Sequence, residues 1–199
     1  MPEPQAAIES GDFHAALCGF ATSHLLNYRQ RSQFYSDVHI CGFGVVLWLM
    51  EDRSGAANVW AAACDEAFKG KFKYSSTGVY QAGLLLWFAS VWLKDGDWHD
   101  DAAALLDKLL RRRKPVMGAD FPSLLARLLR GDVDLPAVQA ACKSEDDQRM
   151  ALFYGGVRAF ETGNRDTTRR LWREARAPTY SECELEYYLL AHERKKLET

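Results

Sequence analysis

The 199-residue chain is predicted to be all-α, an array of about ten antiparallel helices paired as hairpins. Three observations carry that expectation. Ala, Leu, Arg and Glu recur at helical spacing along the whole chain. Alternating runs of Thr, Val and Ile are missing, so strands have little support. Short turns carrying Gly beside Asp, Asn or Ser return at intervals of one helix pair.

In chain order, helices are expected over 12–31, 35–50, 55–69, 77–94, 98–114, 121–130, 134–143, 146–161, 165–177 and 181–197. The turns are S-G-D-F at 10–13, R-S-G-A at 53–56, D-G-D-W at 95–98, R-G-D-V at 130–133 and T-G-N-R at 162–165. Their glycines (Gly11, Gly55, Gly96, Gly131, Gly163) are separated by 44, 41, 35 and 32 residues. Gly accepts the left-handed conformation that ends one helix, and the polar neighbour caps the next. The stretches 40–50, 82–93 and 150–160 are apolar on most of their circumference, as buried first helices would be. R-R-R-K at 111–114 ends a helix at Pro115, and the helix after the Arg130–Asp134 turn is short and starts near Pro136. The last helix begins acidic and ends basic, with Leu185, Tyr188, Leu189 and His192 on one stripe. It is read as a cap that packs one face and solvates the other, closing a single repeat domain over 1–199.

Two segments resemble the tetratricopeptide repeat. E-S-G-D-F-H-A-A-L-C-G-F places Phe13, Ala16, Leu17 and Phe20 at matching positions of the turn and second helix. A-L-F-Y-G-G-V-R-A-F-E-T-G-N-R-D-T-T-R-R-L-W-R-E-A-R-A-P is similar to a nearly whole repeat. Gly156 stands at its small first-helix position, Gly163-Asn164 at the turn, Trp172 and Ala175 in the second helix, and Pro178 at the exit. Thr168 departs from the usual alanine, and the first two turn spacings exceed 34 residues. The resemblance implies a right-handed superhelix whose first helices line a concave groove. It makes His39, Tyr80, Gln81, Arg149 and Arg158 candidate partner contacts. A closed helical bundle is the alternative architecture.

Composition narrows the function classes. A formal net charge of -2 gives no global attraction to nucleic acid or anionic membrane. Five scattered cysteines without a C-x-x-C pair suit reduced thiols in a cytoplasmic protein, and the first residues lack the pattern of a signal peptide. The apolar runs 42–50 and 82–93 are too short to span a membrane. No histidine spacing, G-x-S-x-G or phosphate-cradling glycine loop is present, so no catalytic residue, metal ligand or cofactor is expected.

The stretch K-D-G-D-W-H-D-D at 94–101 concentrates four aspartates around His99. It lacks the alternating ligands and closing Glu of a calcium loop, and is read as a helix start with Asp97 as N-cap. The loop K-G-K-F-K-Y at 69–74 offers Lys71, Lys73 and Tyr74 as contacts to a partner or to phosphate, or is a solvated loop. Arg111–Lys114 and Arg169, Arg170, Arg173 and Arg176 are read as helix-end charge and a polar helix face. The expected function is therefore a non-catalytic protein-binding helical-repeat protein. Its concrete form is a cytosolic immunity protein that neutralises a cognate toxin by occlusion, because no other domain accompanies the repeats to act through. A chaperone or adaptor, or a nucleic-acid binder using 69–74 and 111–114, is the alternative.

Overall fold

A computed structural model describes residues 3–30, 36–69, 76–111, 120–175 and 185–197. Every element among the described residues is helical. The chain divides into two compact units, Met1–Arg112 and Arg113–Thr199. The first holds α1 (Pro4–Glu9), α2 (Phe13–Gln30), α3 (Ser36–Leu49), α4 (Arg53–Lys69), α5 (Ser76–Leu93) and α6 (Gly96–Leu110). The second holds α7 (Asp120–Arg130), α8 (Leu135–Ala140), α9 (Glu145–Glu161), α10 (Arg165–Glu174) and α11 (Leu185–Leu197).

Within each unit, helices pack on their chain neighbours. In the first unit α3 also meets α5 and α4 meets α6; in the second, α7 meets α9. First helices thus lie beside first helices, and second beside second, as stacked hairpins require. α1 was not expected: it is a six-residue helix started by Pro4 in its first turn.

Five turns share one hydrogen-bond pattern. The amide of the residue after the left-handed position donates to a carbonyl five residues back: Asp12 to Ala7 (2.9 Å), Asp52 to Leu47 (3.0 Å), Asp95 to Ser90 (3.0 Å), Asp132 to Arg127 (2.9 Å) and Asn164 to Ala159 (2.8 Å). This closes each first helix as a Schellman turn. The left-handed residue is Gly11 (φ 78), Glu51 (φ 66), Lys94 (φ 55), Gly131 (φ 78) and Gly163 (φ 80). Two expectations are corrected here. Gly55 and Gly96 are not turn residues but lie inside the first turns of α4 and α6. Asp97 is not the N-cap of α6; Asp95 is, its carboxylate accepting from the Trp98 amide at 3.0 Å. The reason is geometric: the bond to Ser90 puts the helix reversal at Lys94, and the next helix starts at once. The turns are then separated by 40, 43, 37 and 32 residues. Caps follow at Asp12, Asp52 and Asn164, each bonded to the amide three residues on. Before α8 the cap is Asp134, because two further residues intervene.

With the register placed on the left-handed residue, the α3/α4 and α9/α10 hairpins carry the same parts. Gly44 and Gly156 stand seven residues before the turn residue, and Trp60 and Trp172 nine after it. A Cβ on either glycine would collide with the indole Nε1 of its tryptophan. The indole uses that closeness: Trp60 Nε1 donates to Cys41 O (3.2 Å), and Trp172 Nε1 to Phe153 O (2.9 Å). Three residues before the turn are Trp48 and Phe160, with Arg53 and Arg165 two after it; each guanidinium lies over its ring, at 5.2 and 5.9 Å. Ala56 and Thr168 are fully buried five after the turn. Thr168 fits there because its hydroxyl donates to Gly156 O at 3.1 Å. On its other side Gly42 admits Phe20 of α2, and Gly155 admits Leu135 of α8. α3 and α9 are therefore pressed from two sides, which is why they are apolar nearly all round.

The α5/α6 hairpin reverses the arrangement. Trp87 takes the first-helix place that is glycine elsewhere, and Ala103 the second-helix place. Trp87 packs on His99 (ring centroids 4.3 Å), and its buried Nε1 has no hydrogen-bond partner among the described residues.

The turn positions separate three substitutions by cause. Gly163→Ala, at φ 80, is expected to lose about 1–2 kcal/mol. Lys94→Gly, which relieves a left-handed lysine, is expected to gain about 1 kcal/mol. Gly96→Ala, with open space and helical backbone, is expected to gain up to about 1 kcal/mol. Urea unfolding of the three variants measures the order.

Candidate partner-binding surface

The residues singled out from sequence fall in both units. In the first, His39 is half-buried on α3, its ring 6.2 Å from that of Phe20. Tyr80 on α5 is only 5% exposed and offers almost no surface, whereas Gln81 beside it is half-buried. In the second, both arginines lie on α9 and face acids of their own helix. Arg149 pairs with Asp146 and, at 3.6 Å, with Glu145. Arg158 bonds Glu161 at 2.7 Å, and its guanidinium lies against the Gly131 turn. Arg158 is thus a clamp between α9 and the α7/α8 turn. Lys71, Lys73 and Tyr74 lie outside the described residues, as do 112–114 of the second basic segment.

The acid run at 94–101 is resolved into roles. Asp95 caps α6, and Asp97, Asp100 and Asp101 are exposed on its first two turns. There they meet the positive end of the helix dipole. Among the described residues no group of three or more His, Cys, Asp or Glu side chains is placed to hold a metal ion.

Two cysteines are shifted away from reactivity. Burial pushes the Cys64 thiol far up, and the carboxylate of Asp101 on α6 adds to the shift. Burial, then Asp147, raises Cys142 in the same sense. A thiol held protonated is a poor nucleophile; Cys64 behaves as a small core residue, whereas Cys142 is half-buried.

The second unit contains features the sequence reading missed. Glu186 and Glu193 of α11 are buried, 3% and 0% exposed. Glu186 accepts a hydrogen bond from Tyr154 OH on α9 at 2.7 Å, and His192 Nε2 lies 3.9 Å from Glu193 Oε1. The seven-residue spacing of the two acids, with Leu189 and Leu190 between, was the available signal that they share the packed stripe. Beside Glu186 lies an open cleft walled by Arg149, Met150, Phe153 and Leu190 among others, with room for little more than one water molecule. Ligand pockets run to roughly 300–1,000 Å³, and here the polar groups at the rim are engaged with neighbouring side chains.

No described helix is long and apolar enough to cross a membrane. No protein-family model, curated protein or solved structure matches the chain.

The Cys64 shift has a sign in solution. The unfolded chain ionises this thiol above its ordinary value of 9.0, while the folded chain keeps it protonated. Its contribution to stability is complete below that pH and is lost as pH rises beyond it, by up to about 1.4 kcal/mol per pH unit. Urea midpoints between pH 8 and 10.5 should therefore fall less steeply for Cys64→Ala than for the wild type. Equal slopes would place the thiol in contact with water.

Proposed function

We propose that the chain is a non-catalytic, protein-binding array of tetratricopeptide-like hairpins. Its concrete form is an immunity protein that acts in the cytoplasm and neutralises a cognate toxin by covering it. The observation that carries the reading is the hairpin device shared by α3/α4 and α9/α10. Each first helix is held between two neighbours by close-approach glycines, so the interior is filled by the fold itself. What remains for function is the outer surface of rigid helices, and a preordered surface binds another protein with little entropy cost. The Cys64 and Cys142 thiols are held protonated, and the Tyr154–Glu186 pair is turned inward on itself. These features supply no nucleophile and no general base aimed at a substrate. A chaperone or adaptor would use the same kind of surface on a different protein.

The test is co-expression with the products of adjacent genes. A neighbour that is toxic alone is expected to be tolerated when this chain is present, and to co-purify with it at sub-micromolar affinity. If every neighbouring product is inert towards the chain, the immunity reading is rejected. A tight complex with a non-toxic neighbour would instead support an adaptor.

A further inference from the structure

We infer that the exposed side of α10, with the last turn of α11, is the face of the second unit that docks an acidic surface on a partner protein. This rests on the protein-binding reading and supplies the partner's chemistry. Arg165, Arg169 and Arg173 follow one another at four-residue spacing, a single row along the helix with about 6 Å between neighbours. Arg169 Nε donates to Leu197 O at 2.9 Å, which brings the end of α11 alongside the row. Exposed Lys195 and Lys196 extend it. Arg173 and Lys195 are exposed, and no ion pair of the described residues engages either.

Packing calls for Arg165, which covers Phe160 as Arg53 covers Trp48, but not for the cations that follow it. The matching helix α4 builds the same tryptophan–carbonyl bond with Ala57, Asn58 and Ala61 where α10 has Arg169, Arg170 and Arg173. The helix dipole accounts for only part of them. Arg173 and the cations of α11 lie in last turns, where positive charge is favoured. Arg165 and Arg169 lie in the first half of α10, where the dipole opposes them; Phe160 offsets this at Arg165 and Asp166 offsets part of it at Arg169, but the like charges four residues apart still repel. A cost retained on an exposed face points to an anionic counterpart.

The counterpart fits a protein better than a nucleic acid. Asp166 (96% exposed side chain) pairs with Arg169 of the row at 3.2 Å, and Glu174 (48%) pairs with Arg170 beside it at 3.1 Å. A continuous phosphate backbone would meet both carboxylates. A protein surface can set acids against the arginine row and a cation or amide against Asp166.

The experiment measures binding of a glutamate-rich helical peptide, with acids at every fourth position, to the full chain by fluorescence anisotropy. Two double variants carry the same change in net charge: R173E/K195E on the proposed face, and K108E/R111E on α6. The wild type should bind in a salt-sensitive manner. R173E/K195E should lose at least about tenfold in affinity, and K108E/R111E should stay within about twofold. Circular dichroism confirms that each variant is folded. No binding by the wild type, or equal losses in both variants, overturns the proposal. So does tighter binding of duplex DNA that R173E/K195E abolishes, which assigns the face to nucleic acid. Self-association of the wild type that the same variant abolishes assigns it to a second copy and also overturns the proposal. If R173E/K195E still retains a partner found by co-expression, the face is wrong and the protein-binding reading stands.

Discussion

An indole ring seated on a glycine is the contact around which the α3/α4 and α9/α10 hairpins are organised. In α3/α4 and again in α9/α10, the second helix comes close enough that its tryptophan leaves no room for a Cβ on the first. Glycine inside a helix costs about 0.5–1 kcal/mol relative to alanine. That loss is offset by burying a whole indole and by the Nε1–H bond to a helix carbonyl. The contact also determines what lies around it. Trp48 stacks on Trp60 at 5.9 Å between centroids, and Phe153 on Trp172 at 5.6 Å. The arginine that opens each second helix then covers the aromatic at the end of the first. One close approach thus orders the interior and one edge of the hairpin together.

The turns set the register that lets this happen. A six-to-one bond with a left-handed residue reverses the chain in a fixed number of positions. The tryptophan nine residues later then faces the glycine seven residues earlier. Where glycine supplies the left-handed residue, the turn is visible in the sequence, and Gly11, Gly131 and Gly163 were identified correctly. Glu51 and Lys94 gave no such sign, since neither residue type favours that conformation. The nearby Gly55 and Gly96 drew the reading instead. A shift of four residues at Gly55 was enough to hide the kinship of α3/α4 with α9/α10, because Trp60 then fell at the wrong distance from the turn.

Helix positions were legible because the apolar periodicity is long and the prolines lie at starts, as Pro4 and Pro136 do. The surface was less so. Tyr80 reads as a contact residue because it is amphipathic, yet only packing decides that it is buried. Glu186 and Glu193 fall outside the stripe of Leu185, Tyr188, Leu189 and His192 read from the sequence, and the tyrosine hydroxyl that satisfies Glu186 comes from another helix. Cys64 is buried among the apolar residues of its own helix, so its place in the core follows from local pattern. The arginines of α10 were noticed as a polar face; their distinction from α4 emerges only once the two hairpins share a register.

The most direct test of the central contact is a double-mutant cycle between Gly156 and Trp172, read by urea unfolding. Gly156→Ala alone is expected to cost about 1–3 kcal/mol, because the methyl group has no space beside the indole. In a Trp172→Leu background the same change is expected to be neutral or stabilising, since only the helix preference of alanine remains. The two substitutions should therefore couple by about 2 kcal/mol or more. Additivity within about 0.5 kcal/mol would contradict the account.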